Sequence, residues 1–202
     1  MLSTTLSSSR ASVVIFDLDG TLTLPCLDFD AVRREIGLPT HPRTPVLEAL
    51  AAMAPDARAA AEAILHRHEE RAARASELQE GALEVIATLR GQGIPVALLT
   101  RNSRRSVQTV RLRHGLEVDC IYTREDGPVK PAPDAVLAIC QRFHTSPRSA
   151  WVVGDYLFDI QAGNAAGATT VLMIGDSPVP EFADQAHHVI RRLPELLTLL
   201  SL

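Results

Sequence analysis

The sequence predicts an α/β fold: a doubly wound, mostly parallel sheet with an all-helical domain inserted after the first strand. Two observations support this fold class. Short apolar runs alternate with segments of helical periodicity over residues 12–24 and 80–200, and such alternation implies right-handed crossovers between parallel strands. Between these parts, residues 27–80 carry helical periodicity alone.

Six apolar runs are predicted to form strands. The first is apolar and mostly β-branched, so we expect it to be buried on both faces. In chain order the predicted strands are 13–16, 94–99, 118–122, 151–153, 169–173 and a short one at 188–190. The helices predicted between and after them lie near 83–90 and at 103–114, 134–143, 160–166 and 194–200.

The inserted segment is predicted to hold three helices. Residues 29–36 and 46–53 place apolar side chains three and four positions apart, which is typical of amphipathic helices. A longer helix is predicted over 57–78, which is rich in Ala, Arg and Glu, with Asp56 as its N-terminal cap. We therefore predict a core domain made of 1–24 and 80–202, and a helical cap domain over 25–79.

Composition and charge narrow the classes of function. The chain has 202 residues and a net charge of −4, which argues against a nucleic-acid surface. No apolar run approaches the roughly 20 residues of a membrane helix. Residues 1–9 lack the apolar stretch of a signal peptide and are predicted to be a frayed tail, and the three cysteines lack metal-ligand spacing. We expect a cytoplasmic protein, a monomer or weak homodimer, that binds neither nucleic acid nor membrane.

Two carboxylates stand at the end of the first predicted strand. Asp17 follows the run directly, Asp19 comes two residues later, and Gly20 and Thr21 then turn the chain. Open α/β sheets place their ligands at the carboxyl ends of the strands. Because close carboxylates repel unless a cation or a shared proton relieves them, this pair indicates a binding or catalytic site.

Further polar residues follow other predicted strands. Thr100 ends the second strand, and Arg101 and Asn102 stand in the next turn, where a hydroxyl and turn amides suit phosphate oxygens. Lys130 is the one lysine among twenty basic residues and lies in a proline-flanked loop, which suggests that its compact ammonium is needed there.

The fourth predicted strand ends in the pattern Gly-Asp-x-x-x-Asp. The spacing of Asp155 and Asp159 can bring both carboxylates to one side of a turn, as Mg²⁺ requires. Gly175 and Asp176 also follow an apolar run, but Pro180 stands where a second acid would be needed. We therefore interpret Asp176 as a loop acid.

Four motifs follow one another over residues 17–159: D-x-D-G-T, Thr, Lys and G-D-x-x-x-D. Together they resemble the four motifs of the haloacid dehalogenase superfamily of hydrolases. The helical insertion resembles the small cap of its phosphoglycolate phosphatase-like branch. The resemblance implies a Rossmann-like core, a phosphatase that acts on a small phosphorylated metabolite, and Mg²⁺ as cofactor.

The resemblance also implies a role for each matched residue. Asp17 is expected to attack phosphorus and form an aspartyl phosphate, while Asp19 first donates and then accepts a proton. Lys130 is expected to offset the charge of nucleophile and phosphate. The expected magnesium ligands are Asp17, the backbone carbonyl of Asp19 and Asp155, with Asp159 orienting ligands, and the expected substrate contacts are Gly20, Thr21, Thr100, Arg101 and Asn102.

Three alternatives stay open on the sequence alone. A phosphomutase would use the same intermediate, a non-enzymatic regulatory module could be switched by a phosphoaspartate, and a degenerate member would only bind. Asp19 and the insertion argue against the regulatory module, and no catalytic position is lost. Polar residues of the insertion that could reach substrate are Arg33, Arg34 and His66, although Arg101 and Asn102 are better placed.

Overall fold

The computed structural model describes residues 11–202 and has the predicted α/β architecture. In this part of the chain, one sheet of six parallel strands has the order β3-β2-β1-β4-β5-β6. The strands are β1 Val13–Phe16, β2 Val96–Leu99, β3 Cys120–Tyr122, β4 Ala150–Gly154, β5 Thr169–Met173 and β6 His188–Ile190. Residues 1–9, predicted to be a frayed tail, lie outside the described part of the chain.

Within the described residues, eight helices accompany the sheet. They are α1 Phe29–Ile36, α2 Val46–Ala51, α3 Pro55–Ala75, α4 Ala82–Gly91, α5 Arg104–His114, α6 Asp134–Arg142, α7 Leu157–Ala166 and α8 Glu195–Leu199, with short 3₁₀ turns at Pro147–Ser149 and Glu181–Gln185. Within residues 11–202, none of these helices combines the length and the apolar character that crossing a bilayer requires.

The central strand β1 is buried on both faces, as predicted. All four of its side chains have no exposed surface. Val14 and Phe16 pack into one apolar cluster, and Val13 and Ile15 pack into a second cluster on the opposite face. Fully burying a side chain of this kind stabilises a fold by about 1.5–3 kcal/mol. The strand that delivers Asp17 is therefore held firmly.

Helices α1, α2 and α3 follow β1 and share an apolar cluster of their own, formed by Val32, Val46, Leu50, Ala61 and Leu65. Two backbone segments tie this helical segment to the sheet, and they lie side by side. The Leu24 amide donates to the Glu77 carbonyl, and the Gln79 amide donates to the Leu22 carbonyl, both at 2.9 Å. The division into a core and a cap at residues 25–79 stays a prediction.

The predicted start of α3 is wrong. The helix begins at Pro55, its N-cap is Ala54, and no side chain caps it. Proline suits the first helical position because it has no amide hydrogen to leave unpaired. Asp56 therefore lies inside the first turn, where its negative charge still interacts favourably with the helix dipole. The helix also ends at Ala75 instead of 78, because Leu78 forms a bridge with Thr23.

Candidate active site

The predicted site residues meet at the carboxyl edge of the sheet. Strands β2 and β4 flank β1 in register, so Thr100 and Asp155 are brought to either side of Asp17. The backbone continues this arrangement past the strand, since the Asp17 amide donates to the Val153 carbonyl at 2.9 Å. The topology thus brings three of the four motifs together before any side chain is considered.

Lys130 supplies the fourth motif from the loop between β3 and α6. Its side chain is buried, and its ammonium donates to Asp17 Oδ1 at 2.6 Å, to Asp159 Oδ1 at 2.5 Å and to the Leu99 carbonyl at 3.0 Å. An ammonium has three protons, and each of these contacts can use one. Lys130 is therefore fixed in place between two of the predicted acids.

A third carboxylate, that of Asp155, lies beside the two that bind this ammonium. One oxygen from each of Asp17, Asp155 and Asp159 lies within 4.8 Å of the others. Asp159 is held further by the Tyr156 amide, which donates to Oδ2 at 3.1 Å. An all-oxygen set of this charge suits a hard divalent cation such as Mg²⁺. The residues present therefore fit the metal that the fold family implies.

The pKa values of Asp17 and Asp155 are raised. Burial is the main cause of the rise of the Asp17 pKa to about 7, with Lys130 opposing it and Asp159 adding to it. Burial, followed by the charges of Asp17 and Asp159, raises the pKa of Asp155 to about 8. For Lys130, burial acts to lower the pKa, but the two carboxylates outweigh it, so its pKa is raised and the ammonium stays charged.

Replacing Asp155 with asparagine is expected to stabilise the metal-free protein at pH 8. The folded state holds the Asp155 proton more tightly than the unfolded chain, in which the pKa is 3.8, so stability falls as pH rises from about 4 to about 8. The amide cannot ionise, so the variant escapes this loss. We expect a melting temperature higher by about 2–4 °C per kcal/mol of repulsion relieved, measured by thermal unfolding in chelator. The difference should shrink at pH 5, and a variant less stable than wild type at pH 8 would contradict the prediction.

The turn after β1 is built around Asp155. Gly20 has a φ of +86°, and a Cβ at this position would lie 2.2 Å from Asp155 Oδ2, so only glycine fits. The buried hydroxyl of Thr21 donates to Asp155 Oδ1 at 3.2 Å. In this structure Gly20 and Thr21, predicted as substrate contacts, thus lie against a predicted metal ligand.

Asp19 is held apart from the three clustered acids. Asn102 Nδ2 donates to its Oδ2 at 2.9 Å, while the Thr23 hydroxyl and the Cys26 thiol approach its Oδ1 at 3.4 and 3.8 Å. Burial is the main cause of its raised pKa, the bonds from Asn102 and Thr23 oppose the rise, and the charge of Glu69 adds to it. A carboxyl that keeps its proton more readily than usual can act as a general acid.

The turn after β2 lies beside these acids. Thr100 is buried, and its hydroxyl accepts from the Asn102 amide at 3.2 Å. The Arg101 guanidinium bonds to the Lys130 carbonyl, lies 2.6 Å from Glu48 of helix α2, and stands 4.8 Å from the centre of the Phe158 ring. Arg101 therefore connects the helical segment with the loop that carries Lys130.

Of the polar residues singled out in the helical segment, Arg33 is buried and bonded to Asp30 and the Thr44 carbonyl. Arg34 is exposed, 3.8 Å from Asp28. Only His66 lies near the site, with Nδ1 3.4 Å from Arg124. Asp176 is a loop acid, as interpreted from the sequence, exposed and paired with Arg192 at 2.7 Å.

The sequence reasoning missed an ion pair close to Asp19 whose carboxylate is buried. Glu69 of α3 is only 3% exposed and is paired with Arg124, which follows β3. A signal was present, because Glu69 falls in the same helical stripe as Ala61, Leu65 and Ala72, all of which are buried. A charged residue in an otherwise apolar stripe requires a partner.

Comparison with known proteins gives one consistent result. A model of the haloacid dehalogenase-like hydrolases matches residues 46–167. A haloacid dehalogenase-like hydrolase domain-containing protein of Arabidopsis thaliana is 31% identical over 180 residues, covering 84% of this chain and 74% of that protein. A phosphoglycolate phosphatase of Haemophilus influenzae is 27% identical over 194 residues, covering 81% and 86% respectively. A crystal structure of a hydrolase from Pseudomonas syringae aligns with a TM-score of 0.80 over 94% of this chain and 98% of that one, and at 22% identity this likeness supports the fold alone.

Proposed function

The chain belongs to the haloacid dehalogenase-like hydrolases and is a phosphatase of that family, and we propose that it depends on magnesium and hydrolyses a small phosphomonoester through an aspartyl-phosphate intermediate. One observation carries the proposal. The Lys130 ammonium joins Asp17 to Asp159, and Asp155 lies beside both at the carboxyl edge of the sheet. This arrangement suits the transfer of a doubly charged phosphoryl group to a carboxylate.

In the proposed reaction, a carboxylate oxygen of Asp17 attacks phosphorus, and the bond from phosphorus to the leaving oxygen breaks. Asp19 donates its proton to that oxygen, then takes a proton from the water that hydrolyses the intermediate. Lys130 keeps its charge throughout and offsets that of the phosphoryl oxygens. Thr100 and the amides of its turn complete the phosphate cradle.

Magnesium, when held by Asp17, Asp155 and the Asp19 carbonyl, with Asp159 orienting ligands, would supply the positive charge that lets an anionic nucleophile approach an anionic substrate. Without it, three acids face one ammonium, and the raised pKa values of Asp17 and Asp155 reflect that imbalance together with burial.

The substrate is proposed to be a small phosphorylated metabolite, with α1, α2 and α3 acting as a cap that excludes water. The relative from Haemophilus influenzae, a phosphoglycolate phosphatase, supports this class. The cytoplasmic location, the monomer or weak homodimer, and the lack of nucleic-acid and membrane partners stay predictions.

Phosphate release from p-nitrophenyl phosphate tests the proposal. We expect many turnovers per protein molecule with Mg²⁺ and none in chelator, with activity restored when Mg²⁺ is added in excess. Release of a single equivalent of p-nitrophenolate, with the phosphoryl group retained on the protein, would instead indicate a regulatory module. Phosphoryl transfer to a second sugar hydroxyl without phosphate release would indicate a phosphomutase, and either result would reject the proposal. A panel of small phosphomonoesters with Mg²⁺ then identifies the preferred substrate.

A further inference from the structure

A largely buried ion pair joins the helical segment to the active-site loops. Arg124 and Glu69 have side chains only 14% and 2% exposed. Arg124 Nη1 bonds to Glu69 Oε1, and Nη2 lies 3.1 Å from Oε2, so the guanidinium and carboxylate meet through two parallel bonds. The Ser103 amide also reaches Oε2 at 3.4 Å. Paired contacts of this kind fix orientation as well as distance.

Arg124 also holds the turn that follows β2. Its Nη1 donates to the Arg101 carbonyl at 3.2 Å, and its backbone amide donates to the Asn102 carbonyl at 3.4 Å. Asn102 in turn donates its side-chain amide to Asp19 at 2.9 Å. A continuous set of polar contacts therefore runs from helix α3 to the carboxyl of Asp19.

We infer that Glu69 and Arg124 are positioning residues, which fix the 101–102 turn so that Asn102 aims the Asp19 carboxyl at the leaving oxygen. The inference rests on the proposed function, because it gives Asp19 the role of proton donor. Neither residue need touch the substrate. Their effect is to make proton donation depend on helix α3 being seated against the loop after β3.

The choice of leaving group separates this role from a merely structural one. An alkoxide leaves poorly without a proton, whereas p-nitrophenolate leaves readily without one. The value of kcat/KM covers the steps up to departure of the leaving group, so later hydrolysis of the phosphoenzyme does not enter it. Misplacing Asp19 should therefore lower kcat/KM for an alkyl phosphate much more than for p-nitrophenyl phosphate. For the aryl ester, kcat and KM should fall together as phosphoenzyme hydrolysis slows.

The test measures both esters, 2-phosphoglycolate and p-nitrophenyl phosphate, on the full chain with Mg²⁺. For Glu69→Gln and Arg124→Lys we expect kcat/KM for the alkyl ester to fall about 100-fold, the lower range of general acid catalysis, with little change for the aryl ester. Lysine keeps the charge of residue 124 but lacks the fork that reaches Glu69 and the Arg101 carbonyl together. Should Glu69→Gln fail to fold, the same ratio measured on Arg124→Lys decides.

Glu70→Gln is the matched control, since it makes the same change one residue further along α3. Glu70 pairs with Arg105 at 3.0 Å, and the Arg105 side chain is 76% exposed. The ratio of the two kcat/KM values should stay at the wild-type level in this variant. Equal losses on both esters, or no loss on either, in Glu69→Gln and Arg124→Lys would overturn the inference. If wild-type protein hydrolyses no phosphomonoester, the proposed function fails instead.

Discussion

Asp17→Asn is expected to abolish phosphate release while leaving the protein folded. The amide nitrogen and oxygen that replace the carboxylate are poor nucleophiles, and loss of a nucleophile typically costs a factor on the order of 10⁴–10⁶ in turnover. The fold should survive because Lys130 keeps its bond to Asp159 and the repulsion between Asp17 and Asp155 is relieved. Phosphate release and a thermal melt on the same sample check both halves of the prediction.

Asp176→Asn provides the control for this experiment. Asp176 also follows a strand and a glycine, yet its side chain is 88% exposed and paired with Arg192. Exposed ion pairs contribute little to the free energy of folding. The replacement should therefore leave the fold intact and turnover within a factor of about two of wild type. Magnesium-dependent turnover that persists in Asp17→Asn would reject Asp17 as the nucleophile.

Lys130→Met is expected to lower the free energy of unfolding more than any other variant proposed, and to lower activity as well. Methionine fills a similar volume but leaves Asp17 and Asp159 buried without their cation. Removing one partner of a buried ion pair typically costs about 3–5 kcal/mol. Chemical denaturation in chelator should report this loss at pH 8, and a smaller one at pH 5, where protonated carboxyls no longer need a partner.

A matched variant for this experiment is Arg192→Met, which removes a cation from an exposed pair. We expect it to change the free energy of unfolding by less than about 1 kcal/mol at either pH. If Lys130→Met is as stable as Arg192→Met at pH 8, the buried ammonium does not hold the acid cluster together.

The sheet and the acid cluster could be predicted because they depend on local patterns. A parallel sheet gathers the carboxyl ends of its strands, so residues at 17, 100 and 155 converge whatever the loops do. The scarcity of lysine singled out Lys130, and the structure places it beside Asp17. The roles of these residues stay predictions. The proximity of residues 17, 100 and 155 follows from the order β2-β1-β4, which the family resemblance implies, whereas that of Lys130 also depends on its loop.

Other features depend on packing that a local pattern does not carry. Glu69 and Arg124 are 55 residues apart in sequence, and their pairing requires α3 to lie against α5 and the loop after β3. Arg33, interpreted as a possible substrate contact, is used to close the loop at Thr44. The start of α3 was misplaced because Ala54 caps it without a side-chain bond.

The backbone segments 22–24 and 77–79, which are hydrogen-bonded to each other, have a consequence for how such enzymes diversify. Entry to and exit from the helical segment lie next to each other, so everything between them can lengthen, shrink or be exchanged without pulling on the sheet. Mutations in the helical segment that leave the Glu69–Arg124 pair intact can therefore change the fit to leaving groups while the residues that handle the phosphoryl group stay in place. Outside that ion pair, substrate selectivity can therefore evolve separately from the chemistry of phosphoryl transfer.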